Sequence, residues 1–438
     1  MQLTRIFPRS QKISLETFGC TANLGDTMKL RALLQAEGHA IVPEEEADVV
    51  VVNTCTVTKR TELNVLKRLK ALRDAGKQVV VAGCMAAAQP DLVQRLLGEA
   101  VPLLTPAELS ASYERSPELA FDGVVCAIPI ATGCMGNCTY CIVKQARGEL
   151  RSYRPETILE AVRGAVARGA KELRLTAQDC SAYGCEHERG VKLPQLLDLI
   201  TALDGDFRVR VGMMNPDTVS PLLDELLDAF KSEKIFKFFH LPVQAGSDKV
   251  LREMNRHYTV AEFVGLVKRI RERFPDCTLS TDFIIGFPTE STADFHASVQ
   301  LLELLRPEKV NATRYSPRPR TEAAKLPDLL DREKKERSRI IASRCHAIAL
   351  DCNLALRGTP LPVHITEWGK KGGVISRDSA YRLIVLTAMP PLGSTATVRI
   401  TEVTSTYLRG DLQATESGAV LIGSRGCSIA RHGSPGNV

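Results

Sequence analysis

Three cysteines stand close together in the run Gly133-Cys134-Met135-Gly136-Asn137-Cys138-Thr139-Tyr140-Cys141, a C-x3-C-x2-C spacing. Three thiolates within eight residues can ligate three irons of a cubane 4Fe–4S cluster and leave the fourth iron open to an outside ligand. Gly133 and Gly136 let the backbone wrap closely around such a group. A zinc site or a ferredoxin-type cluster would want a fourth ligand at motif spacing, and none follows Cys141 closely. Cys126, the one near candidate, lies in an apolar run that reads as a strand, which fits a core thiol.

A second set of cysteines is dispersed. Cys20 ends KISLETFGC, Cys55 ends ADVVVVNTC and Cys84 ends KQVVVAGC. Their separations of 35 and 29 residues are each close to one βαβ unit. In a parallel sheet the ends of such strands share one edge, where loops converge on a crevice, so the fold itself would gather these thiols into a second metal site. Three unrelated cysteines in turns beside the core is the blander alternative. Cys180, Cys185, Cys277, Cys345, Cys352 and Cys427 fall outside both sets and read as spare thiols.

The elements that must position these groups are strands alternating with helices. Lys12–Phe18, Ala47–Val52 and Gln78–Ala82 read as strands, and Asp26–Glu37 and Thr61–Ala75 as helices stopped by Gly38 and Gly76. That alternation implies a parallel α/β domain over 12–118. Six more strand candidates follow: Val125–Ala131, Glu172–Thr176, Arg208–Met213, Ile235–Phe239, Thr278–Ile285 and Lys309–Arg314. With helical runs between them they imply a (β/α)6 partial barrel over 125–350, its active site at the C-terminal strand ends. The charge-dense run Asp331–Ile340 is expected to be a solvated linking helix. After Gly358, Leu361–Glu367, Tyr381–Thr387 and Thr395–Val403 predict a small antiparallel β-barrel over 355–412, followed by a tail over 413–438 expected to be disordered.

Bulk properties agree with a soluble, cytoplasmic chain. Of 438 residues, 44% are hydrophobic and 25% charged, and no run approaches the ~20 apolar residues that span a bilayer. Met1–Arg9 has no signal-peptide character. Thirteen cysteines in a reducing compartment point to metal binding or catalysis before disulfides. A net charge of +6 fits an acidic partner without requiring one.

With these residues in view, the chain resembles the radical S-adenosylmethionine (SAM) methylthiotransferases. The three-cysteine loop is similar to the radical SAM signature, with Tyr140 at its aromatic position. FGCTANLGD, NTCTVTKRTE and AGCMA resemble that family's N-terminal domain, and ARGELRSYRP, LTAQDCSAYG, HLPVQAGSDKVLREMNRHYT and TDFIIGFPTE resemble its core. The last barrel resembles a TRAM RNA-binding domain, and the likeness covers roughly residues 12 to 412. It implies two 4Fe–4S clusters, one on Cys134, Cys138 and Cys141 with SAM on its open iron, and an auxiliary one on Cys20, Cys55 and Cys84. Reductive SAM cleavage would give a 5′-deoxyadenosyl radical that takes a hydrogen from the substrate. The auxiliary cluster would hold the sulfur, methylated by a second SAM. An electron donor of flavodoxin or ferredoxin type is implied too.

Other residues follow from position. Gln178 and Asp179 come after the second barrel strand, Gln244 and Ser247 after the fourth, and Gly286 after the fifth. Each would meet SAM or substrate, or serve a turn. Arg147 and Arg151 would neutralise a carboxylate or phosphate, or stand solvated. Among the family's branches, TCTVTKRTE and GCMGNCTYCIVKQARGELRSY are most similar to the tRNA N6-threonylcarbamoyladenosine group of archaea and eukaryotes. Isopentenyladenosine and a ribosomal-protein aspartate are the alternative targets. A non-catalytic iron–sulfur RNA-binding protein is the alternative of another class, and an open iron argues against it. In the terminal barrel, Lys370, Lys371, Arg377, Arg382, Arg399 and Arg409 outnumber Glu367, Asp378, Glu402 and Asp411, and Trp368, Tyr381 and Tyr407 are expected to stack on bases.

Overall fold

The computed structural model describes residues 3–7, 9–370 and 372–415. Strand β1 (Lys12–Thr17) leads into helix α1 (Thr21–Ala36). After the short β2 (Ala40–Ile41), β3 (Val49–Thr54) leads into α2 (Lys59–Asp74). Strand β4 (Gln78–Gly83) runs directly into α3 (Cys84–Ala88), and β5 (Leu103–Leu104) closes the edge. All five strands pair in parallel, in the order β2-β1-β3-β4-β5. The valine run of β3 is buried along its whole length, as a central parallel strand between two helical layers requires. Helix α1 begins at Thr21, earlier than the expected Asp26, because Cys20 takes the N-cap position and Asp26 lies buried inside.

The central domain has six strands: β6 (Val125–Pro129), β7 (Glu172–Thr176), β8 (Arg208–Arg210), β9 (Phe238–His240), β10 (Thr278–Ile285) and β11 (Lys309–Arg314). They form two parallel sheets, β8-β7-β6 and β9-β10-β11, joined by a bridge between Val209 and Ile235. This is the expected partial barrel, with β6 and β11 at its outer edges. Strand β8 is shorter than expected. Past Arg210 the chain crosses Cys180, where a Cβ on Gly212 would stand 2.6 Å from the sulfur.

Helix α1 is the joint between these two domains. The Ala127 amide donates to Met28 Sδ at 3.3 Å, and buried Lys29 donates to Tyr153 Oη at 3.1 Å and pairs with Asp26.

Helix α4 (Asp331–Leu354) links to the last domain, but the expectation of a solvated helix holds for only part of it. Lys334 and Arg337 are buried, Arg337 pairing with Glu290 at 2.7 Å and the Lys334 stem lying against Gly286. Strands β12 (Pro360–Trp368), β13 (Val374–Arg377), β14 (Leu383–Leu386), β15 (Thr395–Val403) and β16 (Leu408–Thr415) then close a barrel in the order β12-β13-β14-β16-β15. Two strands more than expected complete it, and β14 pairs with β16 in parallel, so the barrel is not wholly antiparallel.

This barrel is docked on the N-terminal ends of the central strands. Tyr381 lies 4.9 Å from the Phe236 ring and 5.3 Å from Phe238, and donates to Glu172 at 2.5 Å. Arg382 pairs with Asp378 and also donates to the Asp276 carbonyl at 2.9 Å. Tyr381, Arg377 and Arg382 therefore face the central domain, which corrects their expected role on an RNA surface. Trp368 is exposed, and Tyr407 carries Arg409 over its ring at 5.7 Å. Cys427, Lys371 and the tail from 416 on lie outside the described residues.

Candidate functional site

The three strand-end cysteines come together. Cys20 follows β1, Cys55 follows β3 and Cys84 follows β4 on one edge of the sheet. Gly19, at φ +118°, lets the first turn approach the second, for a Cβ there would stand 2.6 Å from Cys55 Cβ. Asn23 ties the turns together. Its Oδ1 accepts from Cys20 Sγ at 3.5 Å and faces Cys84 Sγ at 4.0 Å, while its Nδ2 donates to the Thr54 carbonyl at 2.9 Å. Cys55 and Cys84 are buried and Cys20 is exposed. Burial pushes the Cys55 thiol up to about 12, and the Cys84 and Cys20 sulfurs push the same way. Such thiols give up their protons to a metal rather than to neutral water. Cys20 caps α1 and Cys84 opens α3, so two sulfurs stand at helix N-termini, where a thiolate is favoured.

The contiguous set lies on the loop after β6. Gly133, at φ +79°, cannot carry a side chain: a Cβ would meet the Glu149 carbonyl oxygen at 1.8 Å. Backbone amides of Gly136 and Val143 donate to Cys134 Sγ at 3.3 Å and Cys141 Sγ at 3.4 Å. A Cβ on Gly136 would lie 3.5 Å from Cys134 Sγ and 3.7 Å from Cys138 Sγ, so two sulfurs flank one small residue. Donors aimed at sulfur and a glycine cradle suit a thiolate-ligated cluster. Among the described residues, no three His, Cys, Asp or Glu side chains converge as they would around a single ion. A cubane spreads its ligands over separate irons.

The two sets meet through the helix after the loop, Val143–Arg147. It packs on α3, with Ile142 and Ala146 against Cys84 and Ala88. Arg147, expected beside SAM or in solvent, is buried instead. It donates to Asp26 at 2.7 Å and to Asn23 Oδ1 at 3.4 Å, and its charge opposes the rise in the Cys84 thiol. Arg151 pairs with Glu114 at 2.6 Å.

The other expected residues divide. Tyr140 packs against the central core beside the loop. Gln178 has a buried Oε1 with no partner. Asp179 is held by Ser181, Thr218 and the Asn215 amide; burial pushes its carboxyl up against those bonds. Gln244 sits at φ +72°, bonded through its backbone to Asp282 and Ile284. Ser247 donates to Asp294 at 2.6 Å, and Gly286 donates to Glu290 at 2.9 Å.

Arg256 escaped the sequence reading. Its Nη1 donates to Cys138 Sγ at 3.1 Å and its Nη2 to Asn215, while its Nε donates to Tyr258 at 3.2 Å. The run MNRHYT already marked the segment without showing that its arginine reaches the loop.

Comparison with known proteins bears on all three domains. The Radical SAM superfamily matches residues 128–302, the uncharacterized protein family UPF0004 matches 12–103, and the TRAM domain matches 355–412. A protein of Pyrococcus abyssi described as "Probable threonylcarbamoyladenosine tRNA methylthiotransferase" is 42% identical over 429 residues, covering 92% of this chain and 100% of its own length. A "Threonylcarbamoyladenosine tRNA methylthiotransferase" of Drosophila pseudoobscura pseudoobscura is 31% identical over 436 residues, covering 93% of this chain and 78% of its own. Among solved structures, the radical S-adenosylmethionine methyltransferase TsrM of Kitasatospora setae, with cobalamin and a [4Fe-4S] cluster bound, matches in fold. Its TM-score is 0.53 at 15% identity, over 72% of this chain and 77% of that one.

Proposed function

This chain belongs to the threonylcarbamoyladenosine tRNA methylthiotransferases, and we propose that it adds a methylthio group to C2 of N6-threonylcarbamoyladenosine beside the anticodon of tRNA. The observation that carries the reading is the meeting of two three-cysteine sets across one packed joint, with Ile142 and Ala146 against Cys84. Cys134, Cys138 and Cys141 would hold a 4Fe–4S cluster that binds SAM, and Cys20, Cys55 and Cys84 a second one. When bound, these groups supply the 5′-deoxyadenosyl radical and the sulfur.

The protein's own part is to hold and shield. Arg256 and the loop amides donate to the sulfurs of the contiguous set, which stabilises them as thiolates. In the dispersed set the Arg147 charge favours the Cys84 thiolate, Asn23 accepts from the Cys20 and Cys84 thiols and fixes their turns, and burial shields Cys55 and Cys84 from water. Tyr140, Gln178, Asp179, Gln244, Ser247 and Gly286 would border the SAM end of the barrel, and Gln178 Oε1 there is buried with no hydrogen-bond donor of its own. The domains are 12–118, 125–350 and 355–412. The reading also places the chain in the cytoplasm with a flavodoxin- or ferredoxin-like electron donor. No helix among the described residues is long and apolar enough to cross a membrane.

Mass spectrometry of tRNA nucleosides from cells with and without this chain tests the reading. The 2-methylthio form of threonylcarbamoyladenosine should vanish with the chain. Its persistence, or loss of the isopentenyl form instead, would refute the assignment.

A further inference from the structure

The lumen of the central barrel holds charge that neither cysteine set uses. Glu172 and Arg174 on β7, Arg210 on β8, Asp282 on β10 and Lys309 on β11 interact across it, joined at the floor by Arg377 and Glu367 of the last barrel. Most are committed. Arg174 bonds Glu172 at 2.5 Å and Glu367 at 2.7 Å. Asp282 accepts from Asn311 at 2.7 Å and meets His240 at 3.0 Å. Arg377 reaches Glu367 at 3.8 Å.

Two cations are left over. Among the described residues the Arg210 side chain forms no hydrogen bond and no ion pair. Its Nε is buried without a partner, and it only stacks over Phe238 at 5.0 Å and Tyr381 at 5.9 Å. The Lys309 side chain likewise has neither; burial and the neighbouring arginines lower its ammonium to about 8, although the residue as a whole is exposed. Glu172 and Asp282 act on these cations only from a distance, and a buried guanidinium nitrogen with no acceptor is costly, so the pair suits an anion that arrives later. In this lumen four cations face three carboxylates, which leaves room for one negative charge.

The lumen has an entrance. A cavity of about 2560 Å³ is lined by Arg174, Asn311 and Thr313 on the barrel side and by Phe18 and Gly19 on the other, and Gly19 abuts Cys55. The cavity passes the turn beside Cys55 and reaches the inner wall at Arg174, which pairs in register with Arg210, and at Asn311, two residues from Lys309 on the same strand face, so the two cations stand beside its lining. Tyr381 closes the floor, so an RNA backbone cannot thread through; only a group with a free end can fill it.

We propose that Arg210 and Lys309 receive the terminal carboxylate of the N6-threonylcarbamoyl group when the adenosine is flipped into the cavity, and that this contact selects carboxylate-bearing N6 groups over unmodified or isopentenyl adenosine. The proposal rests on the function proposed above. Threonine supplies the substituent with one carboxylate, and the isopentenyl group supplies none.

The test compares three anticodon stem-loop RNAs, carrying threonylcarbamoyl, isopentenyl or unmodified adenosine, on the reconstituted full chain. In Arg210→Gln the kcat/KM preference for the threonylcarbamoyl RNA should fall roughly ten- to a hundredfold, through KM, and Lys309→Met should lower it less. Arg210→Lys should restore part of it. Iron content and thermal melting report whether each variant folds, and Lys309→Met carries the test if Arg210→Gln does not. An unchanged preference in a folded variant, or an equal loss on all three RNAs, overturns the inference. If the wild-type chain modifies none of the RNAs, it is the proposed function that fails.

Discussion

Cys134, Cys138 and Cys141 lie on eight consecutive residues, while Cys20, Cys55 and Cys84 come from three turns spread over 65 residues. The first set is shaped by its own backbone: Gly133 makes the turn, and amides of the same loop donate to its sulfurs. The second exists only when β1, β3 and β4 are in register and Asn23 bridges their ends. Closing a short loop costs little chain entropy, whereas gathering three distant turns draws on the whole sheet's packing. The contiguous set should therefore tolerate disturbance of the fold that scatters the dispersed one.

Iron counting is the strongest way to break that comparison. Replacing Cys134, Cys138 and Cys141 with Ala together should abolish both SAM cleavage and methylthio transfer and leave about half of roughly eight irons per reconstituted chain. Unchanged iron would mean that the loop holds none. Cys55→Ala should abolish methylthio transfer while 5′-deoxyadenosine still forms, as read by chromatography of the products. Loss of both activities would show the sites to be interdependent through the Val143–Arg147 joint.

Asn23→Ala sharpens the contrast. Leaving the Thr54 carbonyl and the two thiols without their amide should cost about 1–3 kcal/mol and reduce iron in the dispersed site alone. A melting curve and an iron assay on the same sample would show it, and equal iron loss from both sets would contradict the separation.

The smallest effect concerns acid. Glu62 on α2 accepts from Arg318 at 2.8 Å and from Lys59 at 2.8 Å, joining the N-terminal domain to the segment after β11. Burial pushes its carboxyl up, but Gln89, Lys59 and Arg318 outweigh this and hold it near 2, below the ordinary 4.5. A depressed carboxyl stabilises the fold above its unfolded pKa, and that stability is lost as pH falls from about 4.5 toward 2. The iron-free chain should lose melting temperature over that window, and Glu62→Gln should flatten the loss. An identical slope in the variant would remove Glu62 from the account.

The strand–Gly–Cys and strand–Asn-Thr-Cys pattern made the dispersed set legible from the sequence, because period and β-propensity locate strand ends and parallel pairing does the rest. The six central strands were legible for the same reason. Contacts between side chains from remote segments were not. Arg256 reaches Cys138 from 118 residues away, and nothing local distinguishes it from a surface arginine. Arg147 read as a contact to a SAM carboxylate, a phosphate or solvent, and Tyr381 as a base-stacking ring, because a cation or an aromatic in a polar run has no partner until the domains dock. Strands β13 and β16 were missed since VISR and LRGDLQAT lack a long apolar alternation and are completed by barrel closure.

The seating of the last barrel bears on how such proteins can be recombined. Tyr381, at φ +64°, presents its ring to Phe236 and Phe238, and the Ser379 carbonyl accepts from the Lys237 amide at 2.7 Å. A foreign barrel spliced on at the end of α4 would carry its own RNA surface but not this wedge. Phe236, Phe238 and the Glu172–Arg174 pair would then face solvent through an unsealed floor. Exchange of this module between relatives is a graft that must bring or rebuild the aromatic seat, and chimeras should succeed according to that one turn more than to the basic residues on the barrel's outer face.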